Sequence, residues 1–194
     1  MQQKKRRWIK FIGMGIMVVC AVIVWYVLSQ GKITISPLIE RQQMMRLEQT
    51  KEQTIRTPFV TDGCSGNVSK AWSEVVGQLS SIFSDIDERY FNAQNIPFEY
   101  ACEAHDKLYH EGTGGYVGRL QADNTLRREI LEYAITHTDD IKRRTRLKTD
   151  ESAIFLYETI ADIIYRGVRL GGAPCSGESY AWGYGYGGGT CEEL

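Results

Sequence analysis

From Trp8 to Ser29 the chain reads WIKFIGMGIMVVCAVIVWYVLS, apolar throughout except for Lys10. A helix of this length spans the hydrocarbon of a bilayer, and one that is apolar all round has no polar face to turn to water. Nothing else in the sequence restricts its architecture so strongly. Lys4, Lys5, Arg6 and Arg7 precede the run and only Lys32 closely follows it, so the amino end is expected in the cytoplasm and the remainder outside. Trp8, Trp25 and Tyr26 sit near the ends of the run, where aromatic belts form. Residues 1–30 therefore predict a basic cytoplasmic tail and a transmembrane signal anchor on a single-pass protein whose main body is periplasmic or extracellular. A cleaved signal peptide is the other reading, with Val27 and Ser29 before the cut; it would give a secreted protein, but the apolar run is long for one.

Outside the run, charge is balanced. The 23 basic and 24 acidic residues of the whole chain leave a formal net charge of -1, which offers nothing to a nucleic acid. Of the five cysteines, Cys20 lies in the apolar run. Cys64, Cys102, Cys175 and Cys191 remain, and in an oxidising compartment they predict two disulfides with three possible pairings, among which the sequence does not choose. Residues 31–56 turn polar and helix-forming beyond Pro37, and read as a stalk or amphipathic connector that could equally pack on the domain.

The domain proper is expected at 57–194, and its periodicity is all-α. The segment from Pro58 to Asn67 holds an acidic residue, two glycines and a cysteine, and reads as a loop. From Val68 to Asn92, Trp72, Val75, Val76, Leu79, Ile82, Phe83 and Ile86 recur at helical spacing. The stretch PFEYACEAHDKLY, Pro97 to Tyr109, is a second helix with Pro97 in its first turn. Its period puts Cys102, His105 and Tyr109 on one stripe, with Asp106 one turn from Cys102.

After the glycine hinge EGTGG, a helix from about Tyr116 to Thr136 carries Val117, Leu120, Ile130 and Ala134 on one stripe, together with Asp123. A carboxylate on an apolar face needs a partner. Two helices joined by a short hinge should lie antiparallel, which brings Asp123 back to His105. Thr138 to Glu151 is highly charged and solvated; Arg143, Arg144, Arg146 and Lys148 there read as a solvent-facing surface, with anionic headgroups as the alternative. A further helix runs from Ser152 to Leu170 through Ile154, Phe155, Ile160, Ile163, Ile164 and Val168, and ends at Gly171 and Gly172. The tail is rich in glycine and aromatics between Cys175 and Cys191; Tyr180, Trp182, Tyr184 and Tyr186 either line a rim or membrane interface or cap the core.

If Cys64 pairs with Cys102, the loop lies over the helix face that bears Asp106. Asp106 with Asp62 or loop carbonyls, including that of Gly63, is then an all-oxygen site suited to calcium. His105 is the candidate general base, activating water, with Asp123 accepting from the other ring nitrogen and the Gly63 amide near the developing oxyanion. Ser65 lacks the context of a nucleophile elbow. A zinc site from Cys64, Cys102, His105 and His110 lacks regular ligand spacing.

The combination of DGCS at Asp62 to Ser65, ACxxHDxxY from Ala101 to Tyr109, and ADN from Ala122 to Asn124 resembles the phospholipase A2 superfamily, most of all its short two-disulfide prokaryotic members. The likeness runs from about Asp62 to Ile130, and the glycine-rich calcium loop of the animal secreted enzymes is absent. It implies a phospholipase A2-like helical fold, calcium as cofactor, a phospholipid membrane as partner, and hydrolysis of the sn-2 ester of glycerophospholipids. By the same resemblance His105 is the catalytic histidine, Asp106 the metal-binding aspartate, and Asp123 the aspartate that orients the histidine. Tyr109 is the tyrosine that hydrogen-bonds to that aspartate, and Asp62 and Gly63 lie in the calcium loop. The alternative is a non-catalytic lipid-binding or structural module that keeps the fold.

Overall fold

A computed structural model of the chain describes residues 36–61, 63–64 and 96–188. The chain divides into Met1–Thr34 and Ile35–Leu194, and the description below is of the second unit. The expected anchor at Trp8–Ser29, the helix expected over Val68–Asn92, and Asp62, Ser65 and Cys191 lie outside the described residues. Among the described residues no helix is long and apolar enough to cross a membrane.

The described residues are all-helical: α1 Pro37–Gln53, α2 Glu99–Glu111, α3 Gly115–Thr136, α4 Thr138–Thr145 and α5 Asp150–Gly171, with a single 3-10 turn at Tyr184–Tyr186 and no strand. Pro37 opens α1, where its missing N–H costs nothing. Glu40, Met44 and Leu47 fall on one stripe of α1 and all three are buried. The segment expected as a stalk at 31–56 thus supplies a packed helix, in contact with α3. Its sequence hides this because a charged residue sits in the buried stripe.

α2 starts at Glu99 behind Phe98, so Pro97 lies in the preceding turn and not in the first helical turn. Gly112 ends it in the left-handed conformation, its N–H closing on the Leu108 carbonyl, a termination that glycine makes without strain. A side chain there would also strike the backbone of Gly183, 2.6 Å from where a Cβ would lie. The chain turns through Thr113 and Gly114 and runs back as α3. Tyr100 bonds to the Glu129 carbonyl, His105 to Asp123, and Arg119 to Tyr109, so the two helices are antiparallel.

The buried face of α3 is Arg119, Ala122, Asp123, Leu126, Ile130 and Ala134. This corrects the expected stripe: Val117 is 58 % exposed, and Arg119 takes the inward position beside Leu120. In α5, likewise, Ala153, Leu156, Tyr157, Ile160, Ala161 and Ile164 face the core while Phe155 is 69 % exposed. The Thr149 side chain caps α5 by accepting from the Ser152 N–H. The charged segment forms the short helix α4 ended by Arg146 at φ 56°, and its cations pair locally, Arg143 and Arg144 with Asp140 and Lys142 with Asp139 and Asp150.

Cys64 and Cys102 form a disulfide across 38 residues of sequence. Closing a loop of that length removes about 4 kcal/mol of entropy from the unfolded chain. Cys175 is disulfide-bonded too; Cys191, which the sequence offers as its partner, lies outside the described residues. In the tail the core-capping reading holds for Trp182, which is 1 % exposed and packs against Tyr109, Leu47 and Met44.

Candidate active site

His105 stands at the centre of the buried face of α2, 7 % exposed. Its Nε2 lies 2.9 Å from Asp123 Oδ1. The ring also lies against the Tyr109 ring, centroids 4.1 Å apart with the planes tilted by 33°. Because Asp123 is ionised it accepts from Nε2–H, and this leaves Nδ1 as the basic nitrogen of His105.

Asp123 is fully buried and every approach to it is occupied. Tyr109 donates its hydroxyl to Oδ1 at 2.6 Å, and Arg169 donates to Oδ2 at 2.8 Å. Arg119 donates through Nε to the Tyr109 oxygen at 3.0 Å and through a terminal nitrogen to the Val168 and Arg169 carbonyls. Both arginines end on one carboxylate of α1: Arg119 on Glu40 Oε1 and Arg169 on Glu40 Oε2, each at 2.6 Å. Two buried anions and two buried cations therefore balance, and each carboxylate oxygen has a donor.

The electrostatics follow. Burial alone would raise the Asp123 carboxyl, but the hydrogen bond and charge of His105, the charge of Arg119 and the Tyr109 hydroxyl together hold it below the usual carboxylate range. Tyr109 is pushed well above its ordinary value, first by burial and then by the charge of Asp123, so it stays a neutral hydroxyl that can donate and accept at once. A depressed carboxyl contributes stability that is present above its unfolded value of roughly 4 and lost as pH falls through the lower folded value. We therefore expect acid unfolding, followed by circular dichroism, to lie below about pH 4, and Asp123→Asn to flatten that acid limb. An acid limb identical in the two proteins would remove Asp123 as its origin.

Residues 57–61 with Gly63 and Cys64 run antiparallel along α2. The Thr57 carbonyl accepts from His110 Nε2 at 2.9 Å, Thr61 donates to Asp106 Oδ2 at 2.8 Å, and Cys64 is bonded to Cys102. His110, Asp106 and Cys102 are four residues apart and make one helical stripe, so the loop touches each successive turn. The Gly63 N–H, expected to face an oxyanion, donates to Thr61 Oγ1 at 3.0 Å. Thr61 has to release it before it can serve that role.

The structure thus brings together His105, Asp123 and Tyr109, and separately Asp106 with Thr61 and Gly63; Asp62 is outside the described residues. Among the described residues no group of three or more His, Cys, Asp or Glu side chains is placed to hold a metal. The disulfide removes the thiolates from the zinc alternative, so Cys64 and Cys102 cannot serve it with His105 and His110.

No family model, curated protein or solved structure matches the chain.

The geometry therefore carries the argument by itself, and it adds residues that spacing did not single out. Arg119 lies four residues before Asp123 on the same face, a pairing that helical periodicity makes visible once the stripe is centred correctly. Glu40 and Arg169 had a shared signal, a charge at an apolar position of a helical stripe. Thr61 had none.

Proposed function

We propose that the chain is a calcium-dependent hydrolase of the sn-2 ester of glycerophospholipids, with His105 as general base and Asp123 as the residue that orients it. The observation that carries this reading is the His105 Nε2 to Asp123 Oδ1 contact of 2.9 Å, inside a network that leaves Asp123 no other orientation. With Nε2–H committed to Asp123, Nδ1 takes a proton from water as the water attacks the ester carbonyl, and the resulting imidazolium is stabilised by the Asp123 charge. The proton passes to the leaving alcohol as the tetrahedral intermediate collapses, so no protein nucleophile is required.

Asp106, the residue after His105, and Thr61 offer oxygen ligands: a carboxylate and a hydroxyl. That chemistry fits a hard cation, and Asp106 with the Thr61 to Cys64 loop would hold it. A calcium ion held there would supply positive charge to polarise the ester carbonyl. The Cys64–Cys102 disulfide suits an oxidising compartment, in keeping with a body outside the cytoplasm, and an anchor at Trp8–Ser29 would hold it at a phospholipid surface.

The test is release of the sn-2 fatty acid from mixed-chain phosphatidylcholine vesicles by the full chain, with calcium and with a chelator. Release that depends on calcium is expected. Release that survives chelation sinks the metal assignment, and vesicle binding without turnover would instead identify a lipid-binding module.

A further inference from the structure

We infer that Glu40, on α1, is a positioning residue for the His105–Asp123 pair. The inference rests on the reading of His105 as base, but its structural half can be tested without turnover.

Glu40 is 1 % exposed and pairs with two arginines, through which it reaches Asp123. Arg169 holds Asp123 directly and Arg119 holds it through Tyr109, and one carboxylate of α1 binds both guanidinium groups. Each arginine therefore has its charge divided between Glu40 and the Asp123 side. If the Glu40 charge is removed, two buried guanidinium groups are left with one carboxylate, Asp123. Arg119 Nε already lies 4.0 Å from Asp123 Oδ2 and has the shortest way to close. As it closes it competes with His105 and Tyr109 for the same carboxylate, and the imidazole loses its fixed partner. Glu40 thus keeps Asp123 available to His105 by occupying the other side of both arginines.

The experiment compares Glu40→Gln with Met44→Ala in the full chain in detergent. Glutamine keeps the shape and removes the charge; Met44→Ala loosens the same buried stripe of α1 and changes no charge. Two readouts are taken: kcat and KM for fatty-acid release, and the low-field proton resonance of the His105 Nε2–H bonded to Asp123. For Glu40→Gln we expect kcat to fall 10- to 100-fold with KM within about twofold, and the resonance to shift upfield or broaden away. For Met44→Ala both should stay close to the parent.

Equal effects of the two variants on kcat and on the resonance would make Glu40 a merely structural residue and overturn the inference. So would an unchanged resonance in Glu40→Gln. If Glu40→Gln does not fold, Glu40→Asp takes its place: it keeps the charge but reaches one arginine instead of two, and unchanged kcat and resonance again overturn the inference. A parent protein with no esterase activity rejects the proposed function, while the resonance still decides whether Glu40 orders the pair.

Discussion

His105→Ala is expected to reduce sn-2 fatty-acid release about 10³-fold or more, with little change in the calcium concentration needed for half-maximal rate. The expectation follows from the division of labour on α2. His105 faces inward to Asp123, while Asp106, one residue on, is partly exposed and faces Thr61. The proposed base and the proposed metal ligand are thus adjacent in sequence but have different partners. Asp106→Asn should therefore fail differently: its rate should recover in part as calcium is raised, whereas no calcium concentration rescues His105→Ala. Initial rates across a calcium series separate the two. Retention of more than a tenth of the parent rate by His105→Ala would end the case for a histidine base.

Arg119→Met is expected to lower unfolding free energy by about 3–5 kcal/mol, the usual loss when one member of a buried ionic cluster is removed. Arg119 is fully buried and makes bonds to Glu40, Tyr109 and the carbonyls of Val168 and Arg169. Methionine fills much of its volume but removes a donor from those carbonyls, of which Val168 keeps the Gly172 N–H, and leaves Glu40 with a single cation. The informative comparison is the double variant Glu40→Met/Arg119→Met. It leaves Arg169 paired with Asp123 and restores charge balance, so its loss should be smaller than that of Arg119→Met alone. Urea unfolding of the three proteins measures both. A double variant less stable than the single would show that packing, and not charge, dominates this part of the core.

Much of this arrangement is legible from the residues. The helix bearing His105 and the helix bearing Asp123 both follow from apolar spacing and a glycine hinge, and the need of a buried carboxylate for a partner brings the two residues together before any coordinates exist. The rest is hidden for a physical reason. Hydrophobic periodicity identifies a buried face by its apolar members, so a face completed by a buried ion pair is read off-centre. That is why Val117 is expected inward and Arg119 is passed over, and why α1, with Glu40 in its buried stripe, reads as a stalk. The charge balance among Glu40, Arg119, Asp123 and Arg169 spans three helices far apart in sequence, and no local pattern contains it.

The glycine-rich tail has a consequence for the order in which the molecule assembles. Gly183 donates to the Tyr109 carbonyl and the Gly185 carbonyl accepts from Thr57, while a side chain at either glycine would strike Leu47 or His110. The tail follows in the chain every part that it holds. In a chain made from its amino end, His105 and Asp123 are therefore present before residues 182–185, and α2 gains these backbone partners only once that segment has been made.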